Sequence, residues 1–73
     1  MTNISAVVIT HNEEDNIKDC LQSISWAEEI IVIDAHSDDS TVEMSRKFTD
    51  KVYLREFDNF SAQKNYGLSK ASF

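Results

Sequence analysis

ISAVVIT, at residues Ile4–Thr10, is a continuous run of apolar and β-branched side chains. A second run, IIVID at Ile30–Asp34, has the same character. Runs of this kind predict strands that are buried on both faces, as in the centre of a parallel sheet. Between the two runs, apolar residues recur at helical spacing over Ile17–Ile24, with Cys20 beside them as a small buried side chain.

The rest of the chain continues this alternation. Asn12 is a good helix cap, so the first helix is expected to run from there to about Ser25. A short helix, a third strand and a last helix are then predicted at Thr41–Phe48, Lys51–Arg55 and Ser61–Ala71, the last capped by Ser61. The sequence therefore predicts an α/β fold, β-α-β-α-β-α, with a three-stranded parallel sheet in the order 3-2-1.

Composition and charge exclude several classes of function. The 73 residues carry 13 acids and 7 bases, for a net charge of -6. An excess of acids disfavours binding to the phosphates of nucleic acid, which requires basic side chains. No apolar run is long enough for a transmembrane segment. The single Gly excludes the glycine-rich loops of Rossmann dehydrogenases and P-loop NTPases. One cysteine fits a reducing cytoplasm.

Polar residues cluster where the first two strands end, which is where ligands bind in parallel sheets. Asp34 is placed to accept hydrogen bonds from a ribose or a base, or equally to cap the next helix. Asp38 and Asp39 could hold Mg²⁺, but a solvated acid and a helix cap are the stronger interpretation. His11 and His36 lack a third ligand, so no metal site is predicted.

Three separated motifs resemble the start of a family-two glycosyltransferase with the GT-A fold, a partial Rossmann-like unit. They are ISAVVITHNEEDNIKDCLQSI, WAEEIIVIDAHSDDST and SAQKNYGLSKA, in that order. The resemblance covers Ile4 to Ala71 and is nearest to bacterial lipopolysaccharide core and cell-envelope sugar transferases. It implies a cytoplasmic enzyme, at the inner face of the membrane, that uses a nucleotide-diphospho-sugar, usually a UDP-sugar, and an envelope glycan acceptor.

The resemblance also implies roles for particular residues. Nucleotide-binding positions carry over to five residues of this chain: Thr10, Asn12, Glu13, Asp34 and Lys64. In the family, the aspartate-rich motif after the second strand has Gly where this chain has His36. The backbone at His36 must therefore have a conformation that His can tolerate, unless the loop differs.

The family's metal-binding Asp-x-Asp motif and its catalytic base have no counterpart here, so no catalytic residue and no metal ligand is assigned. Mn²⁺ or Mg²⁺ is expected only in the full-length inverting enzyme. Residues 1–73 are therefore interpreted as one nucleotide-binding segment, inactive alone and truncated before the metal motif. The alternatives are a non-catalytic, homo-oligomeric interaction module that pairs through a sheet edge, and a response-regulator-like domain, which the short length disfavours.

Overall fold

The computed structural model describes residues 4–72; the ends of the predicted segment 1–73 lie outside the described residues. Three strands alternate with three helices along this part of the chain. They are β1 (Ser5–Thr10), α1 (Ile17–Ser23), β2 (Glu29–Asp34), α2 (Thr41–Ser45), β3 (Val52–Leu54) and α3 (Phe60–Lys70). The predicted β-α-β-α-β-α order is confirmed.

The three strands form one parallel sheet with β2 in the middle. Read from the β3 edge, the order is 3-2-1, as the sequence predicted. The register places Thr10 opposite Asp34, and Asp34 opposite Leu54. The last residues of all three strands therefore lie side by side at one end of the sheet.

Helices cover both faces of the sheet. On one face, Val8, Val32 and Val52 pack with buried residues of α1 and with Met44 of α2. On the other face, α3 crosses β1 and β2 with Gly67 turned toward the sheet. A Cβ atom at Gly67 would lie 3.2 Å from Ile33 Cγ1 and closer still to Val7 Cγ1, so the absence of a side chain sets the approach of α3.

Burial of β1 differs from the expectation for a central strand. Every residue of β1 except Thr10 is only partly buried, whereas β2 is almost entirely buried. The reason is position, because β1 lies at an edge of the described sheet and β2 at its centre. The apolar run predicted the strand correctly but not its burial.

Two helix starts and one buried residue were predicted wrongly. The carbonyl of Glu13 accepts the N–H groups of Asn16 and Ile17 in a tight turn, so α1 begins at Ile17 and not near Asn12. Asn59, not Ser61, caps α3 through its side-chain oxygen. Cys20 is exposed, because it falls at the margin of the buried stripe on α1.

A buried carboxylate ties the amino ends of the strands together. Glu29 accepts hydrogen bonds from Ser5 Oγ at 2.7 Å and from the backbone N–H of Ser72 at 2.7 Å, and it pairs with Lys51 Nζ. The bond from Lys51, followed by those from Ser72 and Ser5, lowers the pKa of Glu29 from 4.5 to about 2. One side chain of β2 thus joins β1, the start of β3 and the residues after α3.

Within residues 4–72, no helix is both long enough and apolar enough to cross a bilayer.

Candidate functional site

The ends of β1 and β2 are joined by a buried side-chain pair. Thr10 Oγ1 donates a 2.7 Å hydrogen bond to Asp34 Oδ1. Asp34 is fully buried, and its two carboxylate oxygens also accept the backbone N–H and the hydroxyl of Ser37, at 2.7 and 2.6 Å. Asp34 therefore fixes the path of the chain immediately after β2.

The loop after β1, residues 11–16, is held against the chain after β2 by consecutive backbone amides. The N–H of Asn12 donates to Ser37 Oγ at 2.8 Å, and that of Glu13 donates to Thr41 Oγ1 at 2.7 Å. The N–H of Glu14 donates to Asp39 Oδ2 at 3.3 Å. Short polar side chains after β2 thus satisfy the backbone of the neighbouring loop, a use of Ser, Thr and Asp oxygens that the sequence predicts only in general terms.

Two side chains of the loop after β1, here called the first loop, accept hydrogen bonds from the chain after β2. Asn12 Oδ1 accepts the backbone N–H of Asp38 at 2.8 Å, and Glu14 Oε2 accepts that of Ser40 at 3.0 Å. Asn12 and His36 both have left-handed backbone conformations, with φ of 51° and 52°. His36 thus lies in the region of backbone conformation that glycine adopts most readily, and Asn and His are among the other residues that tolerate it best.

Asp39 was predicted to cap α2, but the N-cap is Ser40, whose side chain makes no capping bond. Asp39 lies one residue earlier and still shapes the start of this helix. Its Oδ1 accepts both the backbone N–H and the hydroxyl of Thr41, at 2.9 and 2.5 Å. Desolvation acts to raise the pKa of Asp39, but the hydrogen bonds from Thr41 and Glu14 outweigh it and leave this pKa below its ordinary value. Asp39 is thus held as a carboxylate that links α2 to the first loop.

A cleft of about 420 Å³ opens beside these loops. Its polar lining comes from Thr10, His11 and Glu13. Its apolar lining comes from Ile9, Ala35, Phe57 of the β3–α3 connection and Phe60, the first residue of α3. The volume and the mixed lining are those of small-molecule sites, in which a few polar groups orient a ligand against apolar walls.

Gln63 closes the connection between β3 and α3, which carries Phe57 and ends at Phe60. This fully buried side chain accepts a 2.7 Å hydrogen bond from the Arg55 guanidinium and donates one of 3.2 Å to the Arg55 carbonyl. Arg55 also pairs with Asp58 and lies over the ring of Tyr66. Phe57 and Phe60 pack edge to face, with ring centroids 5.2 Å apart.

The predicted site residues fall into three groups. Thr10 and Glu13 line the cleft. The side chains of Asn12 and Asp34 contact the loops themselves. Lys64 is exposed on α3, one turn after Phe60, and has no acidic partner within residues 4–72.

Sequence reasoning missed other members of the site. No role of its own was predicted for Ser37, and only the start of a helix was predicted at Thr41. His11 was treated as loop polarity, yet it lines the cleft and its Nδ1 lies 2.9 Å from the carbonyl oxygen of Ala35. Because a carbonyl only accepts, this Nδ1 carries the proton. No role was predicted for Phe57 or Phe60, and the sole sequence signal was two aromatic residues close together in a polar stretch.

The acidic residues near the cleft do not fit a divalent cation. Within residues 4–72 no three His, Cys, Asp or Glu side chains converge as metal ligands. The oxygens of Asp34 and Asp39 are occupied by Thr10, Ser37, Thr41 and Glu14, which are internal donors. The carboxylate oxygens of Asp34 and Asp39 thus hold the two loops together and are not free to coordinate Mg²⁺ or Mn²⁺.

Comparison with known proteins assigns the family. A family model described as glycosyl transferase family 2 matches residues 5–72. An uncharacterized glycosyltransferase of Rickettsia conorii is 33% identical over 67 residues, which are 90% of this chain and 24% of that protein. One from Rickettsia felis is 33% identical over 70 residues, 94% of this chain and 25% of that protein.

The chain thus spans about a quarter of the length of these relatives. No solved structure matches it significantly. The family match nevertheless covers almost every residue of the sheet, the helices and the cleft described above. The chain therefore belongs to glycosyltransferase family 2.

Proposed function

We propose that this chain forms the donor-nucleotide site of a glycosyltransferase that takes a sugar from a nucleotide-diphospho-sugar, with UDP-sugar as the donor class. The observation that carries this proposal is the cleft at the carboxyl ends of β1 and β2, beside two interlocked loops. Ligands of open parallel sheets bind at this end. Membership of a glycosyltransferase family makes a nucleotide-sugar the appropriate ligand class.

Five residues are proposed to serve the nucleotide. Thr10 and Glu13 line the cleft and contact the ligand there. Asn12 and Asp34 set the positions of the two loops, and Asp34 supplies a carboxylate for the ribose or base once Ser37 gives way. Lys64, free of acidic partners within residues 4–72, is the cation proposed for the phosphates.

Chemical-shift mapping with millimolar UDP tests the site. We expect shifts at the amides of residues 10–13 and at Asp34, with a separate response to pyrophosphate near Lys64. Lys64→Gln should weaken UDP binding and leave uridine binding unchanged, because uridine carries no phosphate. Lys18→Gln, an exposed lysine on α1, is the matched control. Shifts confined to positions such as Lys18 and Asp50 would contradict the site.

The finer activity of the whole protein is also a proposal. We propose transfer to an envelope glycan, as in lipopolysaccharide synthesis, in the cytoplasm at the inner face of the membrane. Residues 1–73 alone are proposed to be inactive, because within residues 4–72 no group of acids fits the metal that the family uses. A UDP-sugar hydrolysis assay with Mn²⁺ checks this point, and turnover by the 73-residue chain would contradict it.

A second candidate function is a homo-oligomeric interaction module. One observation favours it: β1 is an edge strand in the described sheet, and its side chains are only half-buried. Edge strands pair readily with further strands. We propose that two copies associate through β1, and sedimentation at micromolar concentration checks this, since a monomer mass would contradict it. Oligomers without UDP binding would favour the module over the enzyme site.

A further inference from the structure

Two large aromatic rings stand exposed at the mouth of the cleft. Phe57 is 44% exposed and Phe60 is 72% exposed, although both line the same cavity. The chain holds them there by the double contact between Arg55 and Gln63, which fixes the connection between β3 and α3. Exposed apolar surface that is rigidly placed beside a cavity indicates a ligand-binding role.

The charges around the cleft restrict which part of a ligand can enter. Its lining includes one acidic residue, Glu13, and no Lys or Arg. The cation proposed for the phosphates, Lys64, lies one turn further along α3 and outside this lining. A phosphate would therefore meet repulsion inside the cleft, whereas a neutral, flat ring would cover the phenylalanines without that cost.

We propose that Phe60, supported by Phe57, is the stacking surface for the nucleobase of the donor. This inference rests on the proposed nucleotide function and names which group of the ligand enters the cleft. The two phenylalanine rings are nearly perpendicular, with an interplanar angle of 78°, so only one of them can lie parallel to a bound base. Phe60 is the more exposed ring and takes the stacking role, while Phe57 holds it in place through an edge contact.

Binding measurements on the 73-residue chain test this assignment. Stacking of a base on an aromatic side chain predicts a loss of UDP affinity of at least about fivefold in Phe60→Leu. Phe57→Leu should give a smaller loss in the same direction. Trp26→Leu removes another exposed aromatic ring, which lies before β2 and outside the cleft, and should leave affinity unchanged. Circular dichroism confirms that each variant is folded.

A fluorescence measurement gives an independent readout. Phe60→Trp, made together with Trp26→Phe, leaves one indole in the protein, at the mouth of the cleft. We expect uridine and UDP to quench this indole by stacking, and pyrophosphate to leave its emission unchanged.

The outcomes separate this inference from the proposed function. If UDP shifts the amides of residues 10–13 but Phe60→Leu and Phe57→Leu bind it as tightly as the unaltered chain, the stacking assignment is wrong and the nucleotide site stands. Quenching by pyrophosphate alone would place phosphate in the cleft and also overturn the assignment. If uridine and UDP produce no shifts and no quenching, the nucleotide function fails, and this inference fails with it.

Discussion

Gln63 and Arg55 are bonded to each other twice, from side chain to side chain and from side chain to backbone. Gln63 lies on α3 and Arg55 immediately follows β3, so this pair closes the connection that carries Phe57 and ends at Phe60. Gln63 is fully buried, and both polar ends of its amide have partners. The position of the cleft wall therefore depends on a polar contact beneath it.

Gln63→Leu should destabilise the fold by about 1–3 kcal/mol, because the Arg55 guanidinium and carbonyl both lose a partner in a partly buried place. Urea unfolding followed by circular dichroism measures the change. Gln22→Leu, the same substitution at an exposed position of α1, is the matched control and should stay within about 0.5 kcal/mol. Equal effects at the two positions would contradict a structural role for the Gln63–Arg55 pair.

Gly67→Ala should destabilise the protein even though alanine favours helices. The new Cβ would meet Val7 and would lie 3.2 Å from Ile33 Cγ1, so α3 or Val7 must move. Overpacking of this kind costs about 1–3 kcal/mol, more than the gain of about 1 kcal/mol in helix propensity. Thermal unfolding checks the sign. Ser61→Ala, at an exposed position of α3, should be neutral or stabilising, and a similar result for Gly67→Ala would disprove the close approach.

Glu29 should make the fold sensitive to acid. Its pKa is about 2 in the folded chain against an ordinary value of 4.5, so folding stabilises the ionised form of Glu29 relative to the unfolded chain. The stabilisation of the fold by ionised Glu29 is fully present above about pH 4.5 and is lost as the pH falls toward 2. Glu29→Gln should therefore lower stability at neutral pH and flatten its decline over this range. Urea unfolding at several pH values measures this, with exposed Glu28→Gln as the control; parallel curves for Glu29→Gln and the unaltered chain would contradict it.

His36 should respond to substitution according to its backbone conformation. At φ 52° a β-branched residue is strongly disfavoured, whereas glycine is not. His36→Ile should therefore cost about 1–2 kcal/mol, while His36→Gly should be neutral or slightly stabilising. The midpoint of thermal unfolding distinguishes these cases. If both variants are equally stable, the chain between β2 and α2 does not retain the left-handed conformation at position 36 in solution.

The strands and their order could be predicted from the sequence, because continuous β-branched runs and short connections leave few alternatives for a parallel sheet. The pairing of Thr10 with Asp34 follows from the same logic, since both end neighbouring strands. The start of α1 could not be predicted from cap chemistry, because Asn16 at the N-cap makes no side-chain capping bond. Asn12, a good cap by residue type, instead accepts a hydrogen bond from Asp38 of another loop.

The contacts between loops were beyond sequence reasoning for the same reason. Ser37 and Thr41 are ordinary turn residues in the sequence, and their structural role is to accept hydrogen bonds from amides more than twenty residues earlier in the chain. The burial of Gln63 depends on the position of Arg55, which periodicity does not reveal. The family resemblance implies a role for Lys64, which follows Gln63 in the sequence. Lys64, unlike Gln63, is exposed, and it makes no ion pair in the described part of the chain.

Asp34 offers a test that separates structure from recognition. Asp34→Asn keeps the shape of the side chain but replaces the carboxylate that accepts from Thr10 and Ser37, so stability should fall by about 1–3 kcal/mol. If Asp34 also contacts the nucleotide, UDP affinity should fall tenfold to a hundredfold, roughly the effect of losing one charge-assisted hydrogen bond. Unfolding experiments and UDP titrations of the same variant measure the two effects, and exposed Asp38→Asn is the control for both. A variant that loses stability but binds UDP within twofold of the unaltered chain would limit Asp34 to holding the loops, and the nucleotide contact would then have to come from Thr10 and Glu13.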